Sequence, residues 1–204
     1  QHSFPTRRSS DLANKQIVKD ERSIQQYISI FNKKFDNKTN FIVIDIEYAL
    51  SSLSKYCKEG VKWNKQPRID ILAIDRNGQL YVMELKYGMK SVDLQKAGAI
   101  DHINDFYATV GHKDKWEYFM KDLEVLFNRK KKEHIIEENV KLDTTKPPCF
   151  AFIIKCFKDA DEVDFQNYLR KKEITETPTL YLPIDDNDGY PEDNYKLNSY
   201  FIHI

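Results

Sequence analysis

Residues 68–88 read RIDILAIDRNGQLYVMELKYG. Two apolar runs, residues 69–74 and 80–85, flank the polar turn Asp75-Arg76-Asn77-Gly78. β-Branched and aromatic residues bounded by turn residues predict two strands joined as a hairpin. Asp, Asn and Gly at the first, third and fourth places fit a type I turn followed by a left-handed glycine. That is a three-residue loop with a bulge at Gly78. It sets the register: Asp75 opposite Gln79, Ile74 opposite Leu80, and so on to Asp70 opposite Glu84. A two-residue Asn-Gly turn would shift the register by one and turn Asp70 away from Glu84. Asp75 and Gly78 both suit the longer loop. Opposed residues share a face, and strand alternation adds Lys86 to it. One hairpin thus gathers two carboxylates and a lysine at its open end.

Adjacent carboxylates repel each other unless a cation bridges them. Oxygen ligands select a hard ion such as Mg²⁺, with Mn²⁺ as the natural substitute. A lysine beside that ion orients or deprotonates a water, which is apparatus for phosphodiester hydrolysis. The plain alternative is a strand-end salt bridge between Lys86 and Asp70 or Glu84. Acid-x-Lys occurs at Glu84-Leu85-Lys86 and again at Asp36-Asn37-Lys38, the second with Asp20 upstream. The second lies in a polar, Asn-rich stretch with no strand pattern around it. Only the first sits on a hairpin in the right register.

Asp70, thirteen residues, then Glu84-Leu85-Lys86 resembles the signature of the PD-(D/E)xK nuclease superfamily, the restriction-endonuclease-like fold. Ile69 stands where that motif often has Pro. The resemblance covers roughly residues 20–157. It implies an α/β fold with an αβββαβ core, a mixed sheet flanked by helices, followed here by an extra C-terminal helix and strands. It implies a Mg²⁺-dependent nuclease (Mn²⁺ also serving) acting on nucleic acid, DNA ahead of RNA. By that resemblance Asp70 and Glu84 hold the metal with the carbonyl of Leu85, and Lys86 positions the attacking water. An upstream acid from the first helix or first strand completes such sites. Glu47 takes that role here, with Asp45 as runner-up. Several branches carry Gln-x-x-x-Tyr in the helix after the hairpin. This chain departs from it: Gln95 is followed by Ala99, and the nearest spaced pair is His102 with Phe106. His102 reads as a surface or capping histidine, with a phosphate contact as the other reading. The alternative function is a catalytically inactive nucleic-acid-binding or protein-interaction module on the same fold.

Residues 51–66 form a polar connector into the Asp70 end of the hairpin. Lys62, Trp63, Lys65 and Arg68 place basic groups and an aromatic ring beside the expected site. Such a loop holds phosphates and stacks a base; solvated lysines are the plain alternative.

The 204 residues are 41% hydrophobic and 31% charged, with zero formal net charge. One domain over residues 13–204 follows from the length. A neutral chain has no bulk basic field, so nucleic acid must meet a local patch. Cys57, Cys149 and Cys156 are odd in number and lack CxxC spacing, which points to a reducing cytoplasm and no zinc site. No apolar run approaches the length of a membrane span. Residues 2–12, HSFPTRRSSDL, match one reading frame of a short-read sequencing adapter. They are expected to be foreign and unpacked, with the true start of the gene missing. Without them the chain stays within one charge of neutral. Oligomeric state has no signature in the sequence.

Periodicity predicts the remaining elements. Helices are expected over residues 20–34, capped by Asp20, and over 91–110, 115–134 and 161–172. A strand over 41–50 would put Asp45 and Glu47 on one face and Ile42, Ile44 and Ile46 on the other. Residues 149–157, CFAFIIKCF, read as a strand buried on both faces. Final strands are expected over 179–184 and 195–204. The acidic run 185–189 reads as a turn, because Ile184 falls where a calcium loop needs its first acid. No phosphate-binding glycine loop, GxSxG or HExxH is present.

Overall fold

Asp20 accepts a hydrogen bond from the Ser23 amide at 2.8 Å and opens helix α1, Glu21–Phe31. Side-chain capping of this kind satisfies one of the unpaired amides at a helix start. A computed structural model describes residues 20–50, 53–60, 67–92, 98–156, 158, 160–174, 176–184 and 191–198. Strand β1 is Phe41–Ala49, and the single helical turn α2 is Leu53–Tyr56. The hairpin strands are β2, Arg68–Asp75, and β3, Leu80–Tyr87. Helices α3, Ala99–Ala108, and α4, Trp116–Lys132, lead to β4, Cys149–Lys155. Helix α5, Ala160–Lys171, leads to β5, Thr179–Leu182. The order along the sheet is β1-β2-β3-β4-β5. The first three strands are antiparallel neighbours, whereas β4 runs parallel to β3 and β5 parallel to β4. The fold is therefore α/β with a mixed sheet. Each parallel step is made by a helical crossover, as parallel pairing requires.

The hairpin turn forms as its sequence predicts. Ile74 pairs with Leu80, and Ile71 with Met83. Gly78 has φ +80°, and its amide donates to the Asp75 carbonyl at 3.1 Å. The Asp75 carboxylate accepts from the amides of Asn77 and Gln79 at 2.8 and 2.9 Å. A Cβ on Gly78 would also lie 2.9 Å from the Lys141 carbonyl oxygen. Glycine is required there twice over, by conformation and by space.

Alternation along the strands fills two apolar layers. Ile42, Leu72, Ile74, Leu80, Val82 and Phe152 face α3, α4 and α5 through Phe106, Phe119 and Phe165. Val43, Ile71, Ala73, Met83, Leu85 and Ile153 face α1 through Ile24 and Ile28. With helices on both sides, β4 is buried over almost its whole length, as its unbroken apolar run predicts.

Several expectations are corrected. Of the helix expected over residues 91–110, α3 is described from Ala99; a short 3-10 helix, Met89–Ser91, precedes it, and residues 93–97 lie outside the described residues. Gly98 is extended, and the Ala99 amide donates to the Val92 carbonyl. In β1 a register shift falls between Val43 and Asp45, and Glu47 has φ +52°. Ile44 therefore packs in one layer and Ile46 in the other, rather than sharing a face. Of the last strand expected over residues 195–204, Tyr195 ends a 3-10 helix, Pro191–Tyr195, and residues 196–198 are not strand. Asn32 then bridges Tyr195 and Leu197 through its side chain, taking the place of a strand ladder. Residues 1–19, the acidic run 185–189 and residues 199–204 lie outside the described residues.

Candidate active site

The hairpin is closed at its turn and open at its other end. Its ladder stops at Ile71 and Met83. Beyond that pair β2 stays with β1, where Ile69 meets Tyr48 and Arg68 meets Ala49. β3 stays with β4 instead, where Glu84 meets Phe152 and Lys86 meets Ile154. The strands part like a fork, and Asp70, Glu84 and Lys86 are the residues at the parting. Asp70 Oδ2 accepts from the Leu85 amide at 3.0 Å, so a side chain closes the gap where the ladder bond is lost.

Glu84 and Lys86 continue the Leu80–Val82 side of β3, toward α3. They are 7% and 4% exposed, a depth at which charged side chains occur only when paired. Lys86 Nζ lies 2.7 Å from Glu84 Oε1, so the strand-end ion pair of the plain reading is present. His102 of α3 brings Nε2 to 3.0 Å from the same oxygen. His102 is therefore not a surface or capping residue; its turn of α3 faces the fork. A buried ion pair adds little net stability, because desolvation offsets the attraction. Stability alone thus gives no reason to bury this cluster.

The two carboxyls are driven apart. Burial pushes the Asp70 carboxyl up to about 8, helped by the Glu84 charge and only partly opposed by the Leu85 amide. Burial also opposes ionisation of Glu84, but His102 and Lys86 outweigh it and hold that carboxyl below its ordinary value. One raised and one lowered carboxyl, side by side, is the pattern of two acids sharing one buried site.

The sequence did not reveal a third acid, Glu21, in the first turn of α1. Burial raises its carboxyl, and Lys86, Glu84, His102 and Glu47 all act on it. Its Oε1 is buried with no hydrogen-bond partner among the described residues. Orphaned buried oxygens are rare and call for a reason. The resemblance pointed to an acid of the first helix or first strand, but Glu21's place directly after the N-cap is ordinary for an acid at a helix start and did not single it out.

The remaining expected residues are distributed as follows. Glu47 stands on β1 between the pairs that flank Asp70, and its Oε2 meets Arg68 Nη1 at 3.2 Å. Its left-handed backbone is uncommon for a non-glycine residue. Asp45 turns instead to Lys130 of α4, at 3.1 Å. Leu85 is fully buried and is tied to Asp70 through its amide. Lys62, Trp63, Lys65 and Gln95 lie outside the described residues. The competing Asp36-Asn37-Lys38 motif is structural: Asp36 binds the Lys38 amide and Thr39, and Lys38 pairs with Asp193. Cys57, Cys149 and Cys156 are thiols. No described helix is long and apolar enough to cross a membrane.

Among the described residues no three His, Cys, Asp or Glu side chains form a ready-made metal cage. The acids at the fork are Asp70 and Glu84, and Glu21, with its orphaned Oε1, interacts with the same charges. That set suits a hard ion that keeps several waters and needs one or two protein carboxylates. No family model, no curated protein and no solved structure matches this chain.

Proposed function

We propose that the fork is the active site of a Mg²⁺-dependent nuclease of PD-(D/E)xK type. The parting of β2 from β3 at Asp70 and Glu84, with Lys86 beside them, carries this reading. The element order α1, β1, β2, β3, α3–α4, β4 supports a restriction-endonuclease-like core as its frame. Nucleic acid is the substrate, DNA ahead of RNA, and three thiols fit a reducing cytoplasm.

Asp70 and Glu84 would hold the ion, with the Leu85 carbonyl and Glu21 as further oxygens. A bound ion would acidify a water and offset charge growing on the phosphate. Asp70 would serve as a ligand in its deprotonated form. Lys86, 2.7 Å from Glu84, would hold its ammonium where it can orient the attacking water. His102 keeps Glu84 in place through the oxygen they already share. Arg68, steered by Glu47, stands at the exposed edge where a phosphate would arrive.

The test is incubation of the full chain with single- and double-stranded DNA and RNA plus Mg²⁺ or Mn²⁺. Cleavage should disappear in Asp70→Asn and Lys86→Met, with circular dichroism unchanged. Wild-type cleavage by both variants would overturn the assignment. Binding without any cleavage in the wild type would favour the non-catalytic module.

A further inference from the structure

Glu84 and His102 also line a cavity of about 380 Å³ on the α3 side of the sheet. Most of its deeper lining is apolar: Val82, Phe106, Val110 and Phe150 are each less than a tenth exposed. The rings of Phe106 and Phe150 stand 5.3 Å apart at 48°. Its polar lining is Arg68, His102 and the half-buried Asp105 at the rim, with the buried Glu84 and Thr109 deeper. The volume falls at the low end of the roughly 300–1,000 Å³ typical of small-molecule sites. That is room for one flat ring system, and too little for a peptide or a duplex end.

We propose that this cavity receives one unstacked nucleobase of a strand whose adjoining phosphate lies at the fork. The proposal rests on the nuclease reading, since the shared wall of Glu84 and His102 is what joins the two sites. A nucleobase has apolar faces and a polar edge. The faces match the aromatic and aliphatic floor, and the edge matches the rim. An ionised Asp105 only accepts hydrogen bonds. Thymine and uracil offer only an N3–H flanked by two carbonyl oxygens that repel the carboxylate, so Asp105 favours bases with an exocyclic amino group (adenine, cytosine, guanine). A base in a single strand enters without breaking a pair, so single strands and frayed ends bind ahead of uniform duplex.

Binding is measured on the full chain with short oligonucleotides of adenine, cytosine or thymine alone. Ca²⁺ replaces Mg²⁺ so that strands are held and not cut. A 2-aminopurine reporter marks the unstacked base. The wild type should favour adenine and cytosine strands and should brighten the reporter. Val110→Phe fills the floor and should weaken single-strand binding about tenfold or more, the effect of losing one base contact. Asp105→Asn keeps the shape and should narrow the preference against thymine. The result that overturns the proposal is a Val110→Phe protein as stable as the wild type that binds equally well: the cavity is then a packing void. No base preference in the wild type overturns it too. Should Val110→Phe not fold, Asp105→Asn and the reporter decide. A chain that cleaves with Mg²⁺ but shows no base preference loses only this proposal. One that neither binds nor cleaves loses the nuclease reading as well.

Discussion

The two ends of the β2–β3 hairpin use aspartate in opposite ways. At the turn, Asp75 accepts from two amides of its own loop and holds the register. Five residues earlier on the same strand, Asp70 sits where the strands part. It has a single amide for a partner and a carboxyl pushed up to about 8. The turn end is satisfied locally and requires nothing further. The fork end is raised in energy by burial and by the neighbouring Glu84, and a bound cation would relieve both. An acid satisfied by its own loop and an acid buried at a strand fork thus differ in partners, not in residue type.

The sharpest break of this contrast is at Lys86. Lys86→Met keeps the apolar stem and removes the charge. It should lower Mg²⁺-dependent cleavage at least ~100-fold, the usual scale for losing one proton-handling group. Asp75→Asn should leave the cleavage rate unchanged in the same assay. At the turn the effect should fall on stability instead. Gly78→Ala forces a left-handed alanine against the Lys141 carbonyl. It should cost about 2–3 kcal/mol in denaturant unfolding. Asp75→Ala removes two backbone acceptor bonds and should cost roughly 1–2 kcal/mol by the same measurement.

The subtlest effect is a pH slope. The folded carboxyl of Asp70 lies near 8, above its ordinary 3.8. Between those values the unfolded chain has already released the proton that the folded chain keeps. Stability should therefore fall as pH rises across that window. Asp70→Asn mimics the protonated form and should flatten the slope in thermal melts. A slope of unchanged size would show that Asp70 is not the group responsible.

Much of this contrast was legible in the sequence, because turn chemistry is local. Asp75, Asn77 and Gly78 decide the loop, the loop decides the register, and the register puts Asp70 by Glu84 and Lys86. What was not legible depends on packing between elements far apart in sequence. Glu21 feels the charges of Lys86 and Glu84 because α1 packs on β3, and its position after an N-cap did not single it out. His102 was misread because only the docking of α3 shows which turn faces Glu84. The irregular backbone of β1 has no sequence marker either: no glycine or proline accompanies the shift at Asp45 or the left-handed Glu47. Asp45 and Glu47 consequently separate, one to Lys130 and the other to Arg68.

Calorimetric titration of Mn²⁺ into the wild type and Asp70→Asn, near neutral pH, decides whether the fork binds a metal ion. The wild type should take up the ion and release a proton as Asp70 ionises, because ligation needs the deprotonated carboxylate. Asp70→Asn, folded as before, should bind at least about tenfold more weakly and release no such proton. Equal uptake by both proteins, or none by the wild type, would contradict the account and leave the fork as architecture.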